Sequence, residues 1–360
     1  MKVIYLIGAG ASFGLRDTQN PVLSMDYEYL DQSIHSMIKG SCTYPNIIEG
    51  IPIVKELPGR MAYIVGKLYE HYPLDRSDEK GLAVRELANN LKWLIKESES
   101  HSTIDTFAKK LWLTGREDDY LKLKRTLSAF FMLEQMSNRP DKRYDAFFAS
   151  VLGQNAKDLP SNIRILSWNY DIQLELAYSA YLQTTSLNDI ENALLFYQKS
   201  VDSNNYKLGN GFRVIKLNGS ALMYDKSIQN IIDPSLIDQS LSSTSIDKVS
   251  SIINSDEYEC ALSFAWESID DHFKDKIKKN IEDAEALVII GYSFPYFNRT
   301  IDRFLFQSMP GLKKIYLQDK DPDTIEQSVT NLLTASHTTV NKTKIEKKYH
   351  TQQFYLPPEL

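Results

Sequence analysis

The sequence has few cysteines and no long apolar run. Of its 360 residues only Cys42 and Cys260 are cysteines, too few for a disulfide framework or for a zinc site made of four cysteines. No stretch approaches the roughly 18–20 apolar residues that a membrane helix needs. The apolar run after Lys2 lacks the length and the cleavage site of a secretory signal. We therefore expect a cytoplasmic protein that binds no metal and has no membrane contact.

The sequence also lacks an excess of basic residues. Its 41 Lys and Arg side chains and 47 Asp and Glu side chains give a formal net charge of −6. Proteins that bind nucleic acid usually carry the opposite balance, so we expect no direct contact with nucleic acid. Hydrophobic residues make up 42% of the chain and aromatic residues 11%. This composition supports a folded core and excludes disorder of the whole chain.

Five short apolar runs predict buried parallel strands, because they are apolar on both faces and do not alternate with polar residues. The runs are Val3–Ile7, Ile163–Ser167, Arg213–Leu217, Ala286–Ile290 and Lys314–Leu317. Most of them are followed by a helical pattern. The sequence therefore predicts an α/β fold with a Rossmann-like, doubly wound parallel sheet, whose ligands bind at the carboxyl ends of the strands.

The predicted strands are unevenly spaced along the sequence, and this spacing predicts how the chain is divided. Residues 1–15 and 160–320 account for the Rossmann-like core. Residues 16–159 are predicted to form a mainly α-helical insertion or cap, because apolar residues recur there at helical spacing. Residues 225–255 show no clear period and offer little apolar surface, so we expect a long loop or flap. Residues 321–360 are predicted to form a C-terminal helix and a tail that could add an edge strand.

The first strand runs directly into Gly8-Ala9-Gly10-Ala11-Ser12. In such a loop Gly8 permits a tight turn and Gly10 lets the backbone approach a pyrophosphate, which then faces the positive end of the next helix. The following glycine, Gly14, comes one residue too late for the G-x-G-x-x-G pattern, and Asp31 lies in no strand pattern. The motif therefore favours nucleotide binding over an ordinary dehydrogenase, with a plain glycine turn as the alternative.

Small and polar residues also end the other strands. Asn169 and Asp171 follow the second strand. Asp171 could equally be a helix N-cap, whereas the amide of Asn169 needs partners and could bind water or a ribose hydroxyl. The further candidates for nucleotide binding are Asn218, Gly219 and Ser220 after the third strand, Gly291, Tyr292 and Ser293 after the fourth, and Gln318 and Asp319 after the fifth. At Asn218 a simple turn explains the sequence equally well. Four strand ends of this kind along one sheet edge nevertheless predict, together, a nucleotide site.

Taken together, these segments resemble the sirtuin-like domains of bacterial antiphage defence proteins. The likeness covers roughly residues 2–320, and it is carried by residues 8–12, 102–108, 169–171, 216–220, 264–267 and 290–295. It implies a site that uses NAD as a substrate and hydrolyses it to nicotinamide and ADP-ribose, which depletes NAD in an infected cell. It also implies a homo-oligomer or a partner defence protein, such as a translocase-like ATPase or an Argonaute-type protein.

The resemblance also assigns roles to single residues. It implies that residues 8–12 hold the pyrophosphate and that Asn169 orients water at the nicotinamide ribose, with Asp171 supporting the nicotinamide side. Gly291 and Ser293 would line the phosphate and ribose. At one position the chain departs from the family, whose Lys-Leu-His-Gly-Ser motif has a catalytic histidine where this chain has Asn218.

Asn218 argues against deacylase activity more strongly than against hydrolase activity. An amide does not take up a proton near neutral pH and cannot replace histidine as a general base. Deacylation depends on that base, whereas attack by water on an oxocarbenium-like centre depends more on binding and orientation. The two cysteines likewise cannot form the zinc module of deacylating sirtuins. The alternative to a hydrolase is a catalytically degenerate NAD- or ADP-ribose-binding subunit of a defence complex.

Overall fold

The computed structural model describes residues 2–12, 53–73, 76–199, 211–227, 230–232, 241–336 and 343–360. The chain divides into two compact units. The first, which we call the sheet unit, comprises Met1–Leu15, Pro140–Ser220 and Ala261–Leu360. The second, which we call the helical unit, comprises Arg16–Arg139 and Ala221–Cys260.

The secondary-structure elements follow one another along the described chain in this order: β1 (Lys2–Ile7), α1 (Ile53–His71), α2 (Glu79–Ser100), α3 (Ile104–Leu113), α4 (Glu117–Ser137), α5 (Lys142–Val151), β2 (Ile163–Ser167), α6 (Gln173–Leu182), α7 (Leu187–Leu194), β3 (Tyr197–Gln198), β4 (Arg213–Lys216), β5 (Gly219–Asp225), β6 (Asn230–Ile232), α8 (Ser243–Asn254), β7 (Tyr258–Leu262), α9 (Asp271–Ile281), β8 (Ala284–Ile290), α10 (Arg299–Gln307), β9 (Lys314–Gln318), α11 (Pro322–Ala335) and β10 (Lys344–Lys348). All five predicted strands are present, with bounds that differ by at most two residues.

The sheet unit is built on a parallel sheet of seven strands in the order β10-β9-β8-β1-β2-β4-β3. Its central strand, β1, pairs with β2 and β8, so that Val3 lies opposite Ile163 on one side and Ala286 on the other. Every pairing in this sheet is parallel. The carboxyl ends of the strands therefore meet at one edge. The predicted α/β fold with a Rossmann-like parallel sheet is confirmed.

The two faces of the sheet are buried by different elements, as alternation along a strand requires. Ile4 and Leu6 of β1 belong to a hydrophobic cluster that includes residues of α9, α10 and α11. Tyr5 belongs to the opposite face, where its ring packs edge-on against Phe147 of α5 at 5.3 Å between centroids. Burial on both faces explains why these strands are continuously apolar.

The last residues of the chain, 349–360, lie on the same side of the sheet as Tyr5; we call them the C-terminal tail. The Tyr5 hydroxyl donates to the carbonyl oxygen of Tyr355 at 3.0 Å. Tyr316 of β9 donates to the Glu359 carboxylate at 2.9 Å. The Phe354 ring packs edge-on against Tyr144 of α5 at 5.0 Å. Before the tail, β10 extends the sheet beside β9, which confirms the expected edge strand.

The described part of the helical unit consists mainly of α1–α4 and α8. Two of these helices begin at side-chain caps: Asp78 accepts a hydrogen bond from the N–H of Gly81 in α2, and Thr103 accepts one from the N–H of Thr106 in α3. Residues 140–159, which are predicted to belong to the helical insertion at 16–159, lie in the sheet unit instead. None of the described helices is both long and apolar enough to cross a membrane.

The predicted loop at 225–255 is wrong over 243–254, where the chain forms helix α8. Ser242 and Ser245 form a reciprocal capping box at its start. One face of the helix then buries Ile246, Val249 and Ile253. The Ser-rich composition concealed both signals, because serine favours loops except where it caps a helix. Residues 228–229 and 233–240 of the predicted flap lie outside the described residues.

Candidate functional site

The glycine loop after β1 packs directly against the loop after β8. The N–H of Gly8 donates to the Ile290 carbonyl and the N–H of Gly10 donates to the Gly291 carbonyl, both at 3.0 Å. A Cβ atom on Gly10 would lie 2.7 Å from the Cα of Gly291. Gly291 has φ +57°, and a Cβ on it would lie 2.4 Å from the carbonyl carbon of Gly10. We call the residues that follow the first four predicted strands the first to fourth motifs: residues 8–12, 169–171, 218–220 and 291–293. The glycines of the first and fourth motifs are thus needed for the mutual approach of two backbone segments.

Most of the N–H groups expected to bind a pyrophosphate already donate to backbone carbonyls of the protein. Gly8 and Gly10 donate to the β8 loop, as described above. Ala11 donates to the Gly8 carbonyl at 2.9 Å and Ser12 to the Ala9 carbonyl at 3.1 Å, which forms a short 3₁₀ turn. An anion at residues 8–12 therefore needs other donors or a different loop conformation. The helix predicted to follow this loop lies outside the described residues, and so do Gly14 and Asp31.

Ser12 connects the first motif to the second. The side-chain amide Nδ2 of Asn169 donates to Ser12 Oγ at 2.9 Å, and Ser12 Oγ also lies 2.9 Å from the Tyr144 hydroxyl. Burial raises the pKa of Tyr144 well above its ordinary value, so the phenol stays protonated. Asn169 is only 6% exposed, and its N–H donates to Ser167 Oγ at 3.2 Å. The structure thus brings together two motifs that are far apart in the sequence.

The N-cap of α6 is Ile172, so Asp171 is not the N-cap that the sequence left as an alternative but lies one residue before it. Asp171 Oδ1 accepts from the N–H of Gln173, at the start of α6, at 3.1 Å. Its carbonyl oxygen accepts a hydrogen bond from the ammonium group of Lys216, which ends β4. Lys216 Nζ also lies 3.1 Å from Glu175 Oε1, and both side chains are almost fully buried. Behind the Asn169–Asp171 turn the sheet unit therefore holds a buried ion pair.

The third motif lies beside the second. Asn218 is 5% exposed and donates through Nδ2 to the Trp168 carbonyl at 3.4 Å. Its Oδ1 has no hydrogen-bond partner among the described residues. Gly219 has φ +65°, and a Cβ on it would lie 2.0 Å from the Ala261 carbonyl oxygen, so only glycine fits. The Ser220 hydroxyl is fully buried and donates to Gln198 Oε1 at 2.6 Å.

In the fourth motif, Tyr292 and Ser293 have different environments. Tyr292 is buried, and its hydroxyl donates to both carboxylate oxygens of Asp302 at 2.9 and 2.8 Å. Burial raises the pKa of Asp302 well above its usual range, although the hydrogen bond from Tyr292 acts in the opposite direction. The Tyr292 ring stacks on Trp168 at 5.8 Å between centroids. Ser293 is exposed. In this motif Ser293 is the side chain open to solvent, while Tyr292 supports the strand end.

At the end of β9, Gln318 and Asp319 hold the chain's own backbone. Gln318 Nε2 donates to the carbonyls of His350 and Gln353, each at 2.6 Å, and Oε1 accepts from the N–H of Tyr355 at 2.9 Å. Asp319 Oδ1 accepts from the N–H of Asp321 at 3.0 Å. Both N–H groups of the Gln318 amide are therefore occupied by the C-terminal tail, which leaves neither for the expected nucleotide.

Sequence reasoning missed Arg143, which binds the carbonyl side of the glycine loop. Its Nη2 donates to the carbonyls of Gly10 and Ala11, each at 2.9 Å, and to Asp141 Oδ2 at 2.9 Å. Arg143 also lines a cavity of about 340 Å³, whose other lining residues are Asp141, Lys142, His350, Gln352 and Gln353. No local pattern links Arg143 to a loop more than a hundred residues earlier, so only the fold reveals this contact.

The groups that meet at this edge are mainly hydroxyls and side-chain amides. Such groups suit a ligand with many hydroxyl and amide groups, which can both donate and accept. Within the described part of the chain, no three His, Cys, Asp or Glu side chains are placed to hold a metal ion. Comparison of the chain with protein-family models, curated proteins and solved structures finds no match. Function is therefore inferred from the site itself.

Proposed function

We propose that this chain is a sirtuin-like NAD⁺ glycohydrolase, which converts NAD⁺ and water to nicotinamide, ADP-ribose and a proton. The observation that supports this most is the 2.9 Å contact of Asn169 with Ser12. It places the second motif against the glycine loop at the carboxyl edge of a parallel sheet, where folds of this class bind nucleotides. The biological role would be NAD depletion during antiphage defence, in a homo-oligomer or with a partner ATPase or Argonaute-type protein.

In this proposal the site acts by orientation rather than by proton abstraction. Cleavage of the bond between nicotinamide and ribose leaves positive charge on the ribose, and water then attacks the anomeric carbon and loses a proton. Neutral amide groups such as those of Asn169 and Asn218 can hold the water and the ribose hydroxyls in position. Asn218 has no basic group to offer, so the proton passes to solvent.

The proposal is tested by nicotinamide release from NAD⁺, measured on the purified chain alone and with the product of a neighbouring gene. Asn169→Ala should lower the rate by about 100-fold or more, as expected when an orienting polar group is lost. Asn280→Ala is the matched control, because Asn280 is 5% exposed against 6% for Asn169. Its side chain also donates one hydrogen bond, to the Lys276 carbonyl in α9 at 2.7 Å. Equal rates for the two variants would place the reaction elsewhere.

A second candidate is a subunit that binds NAD or ADP-ribose without turnover. The observation that favours it is Asn218, which stands where the resembled family has its catalytic histidine. Tight ADP-ribose binding with no nicotinamide release under any condition would select this candidate. An increase in rate on Asn218→His would instead identify position 218 as a weakened catalytic site.

A further inference from the structure

Two buried oxygen atoms beside the third motif have no hydrogen-bond partner among the described residues: Asn218 Oδ1 and Ser263 Oγ. Ser263 is completely buried and Asn218 is 5% exposed. The two residues are adjacent, since the N–H of Ser263 donates to the Asn218 carbonyl at 2.8 Å. Buried polar side-chain atoms are nearly always hydrogen-bonded in folded proteins. Two unpaired oxygens on neighbouring segments therefore need an explanation.

Ser263 lies between the second and third motifs. It follows β7 directly, and the ring of the next residue, Phe264, packs edge-on against Tyr170 at 6.2 Å between centroids. The Phe264 carbonyl accepts a hydrogen bond from Lys199 Nζ at 2.8 Å, which connects the segment to the residue that follows β3. Ser263 is thus adjacent to Asn218 through the backbone, and its neighbour contacts the Asn169–Asp171 turn.

The hydroxyl of Ser263 has no evident use in folding. Alanine would fill nearly the same space without an unpaired polar atom, and burying such an atom costs stability. An unpaired buried hydroxyl alone does not imply a ligand, since Ser250 also has no partner among the described residues. What distinguishes Ser263 is its place beside a second unpaired oxygen, that of Asn218, and a ligand would supply both missing hydrogen bonds. The amide oxygen of Asn218 accepts only, whereas the serine hydroxyl donates and accepts. Together they complement two adjacent hydroxyl groups, each of which can donate and accept.

We infer that Ser263 is a ligand-contacting residue, whose Oγ binds, together with Asn218 Oδ1, the two adjacent hydroxyls of a ribose. The inference rests on the proposed function in taking this ribose to be the one that carries nicotinamide in NAD⁺ and is terminal in ADP-ribose. It does not require turnover, because the same contacts serve a subunit that only binds ADP-ribose.

The test compares Ser263→Ala with Ser250→Ala. Ser250 lies in α8, is 2% exposed, and also has a hydroxyl without a partner among the described residues. Both variants remove an unpaired buried hydroxyl, so both should keep or raise the melting temperature. Calorimetric titration with ADP-ribose should show about tenfold weaker binding for Ser263→Ala, which is the loss of one modest hydrogen bond, and unchanged binding for Ser250→Ala.

A second ligand makes the result specific. Two deoxy forms of ADP-ribose, each lacking a different hydroxyl of the terminal ribose, should bind wild-type protein more weakly than ADP-ribose does. For the form that lacks the hydroxyl contacted by Ser263, Ser263→Ala should cause no further loss of affinity. Unchanged ADP-ribose affinity in Ser263→Ala would overturn the inference, as would a lower melting temperature than that of Ser250→Ala. Binding of ADP-ribose without NAD⁺ hydrolysis would overturn the proposed enzyme but not this inference. Wild-type protein that does not bind ADP-ribose would overturn both.

Discussion

Replacing Lys216 by methionine should destabilise the sheet unit strongly, because it leaves Glu175 buried without its counter-ion. Lys216 Nζ lies 3.1 Å from Glu175 Oε1, with side-chain exposures of 2% and 0%. It also donates to the carbonyl of Asp171. Methionine keeps the length of the aliphatic chain but removes the charge and the donor, so the change isolates the electrostatic contribution.

The expected loss follows from the geometry. At an effective dielectric constant of about 20, unit charges 3.1 Å apart attract each other by about 5 kcal/mol. Removing one partner of a buried ion pair typically costs about 3–5 kcal/mol. Protonation of Glu175 limits the loss, since burial already raises the pKa of this carboxyl even with Lys216 opposing that shift. We therefore expect a loss of about 3 kcal/mol in the free energy of unfolding near neutral pH.

The loss should also depend on pH, with a defined sign. Without Lys216 the pKa of Glu175 in the folded protein rises further above its value in the unfolded chain. Above an unfolded pKa of roughly 4.3, the folded state then holds a proton that the unfolded state has released. Stability falls as pH rises through this window, by at most about 1.4 kcal/mol per pH unit. The variant should therefore lose more stability at pH 8 than at pH 5.5.

Urea unfolding followed by circular dichroism at both pH values measures this effect. Lys274→Met is the control, because Lys274 pairs with Asp271 at 3.1 Å at an exposed position and should change stability by less than about 0.5 kcal/mol. The double variant Lys216→Met, Glu175→Leu removes both charges and should recover most of the loss. A Lys216→Met loss no larger than that of Lys274→Met, or no recovery in the double variant, would refute the reasoning.

Two further predictions concern stability. Burial raises the pKa of Glu191 in α7 to about 8, so the stability that this carboxyl contributes is present at low pH and is lost as pH rises toward 8. Glu191→Gln should therefore reduce the fall in unfolding free energy between pH 5.5 and 8.5 by roughly 1–3 kcal/mol. An unchanged pH profile of stability would contradict this. Gly291→Ala should lower the unfolding free energy by about 2–4 kcal/mol, because Gly291 has a left-handed backbone and its added carbon would meet Gly10. Gly59→Ala in α1 has no atom within 4 Å of the added carbon and should stabilise the protein by up to about 1 kcal/mol. Thermal unfolding measures both variants, and a more stable Gly291→Ala than Gly59→Ala would contradict the prediction.

The sheet could be predicted because its strands are buried on both faces, which makes Val3–Ile7 or Ala286–Ile290 continuously apolar. Among the elements that were not predicted, two escaped for opposite reasons. Strand β3, Tyr197–Gln198, has two residues and is too short to show any period. Helix α8 has a clear cap and an apolar face, but its high serine content is typical of a loop. Short edge strands and polar-rich helices depend on their neighbours more than on local composition.

The site could be predicted only as a set of strand ends. Parallel strands place their carboxyl ends together, so the proximity of Ser12 and Asn169 follows from the fold. The partners of these groups do not follow, because Tyr144 and Arg143 come from a helix whose position relative to the loop leaves no local signal. Gln318 shows the same limit, since its amide is engaged by the C-terminal tail, which no pattern near β9 reveals.

The glycine loop shows why a motif alone does not identify a phosphate site. Gly8 and Gly10 are required if a pyrophosphate approaches the backbone, but they are equally required by Gly291, whose backbone occupies the space that a Cβ on either residue would fill. Loss of NAD⁺ hydrolysis in Gly8→Ala or Gly10→Ala would therefore not show phosphate contact, because the same substitution separates two strand ends of the sheet. Ser263, where alanine removes one hydroxyl without disturbing a backbone contact, separates binding from folding more clearly than the glycines do.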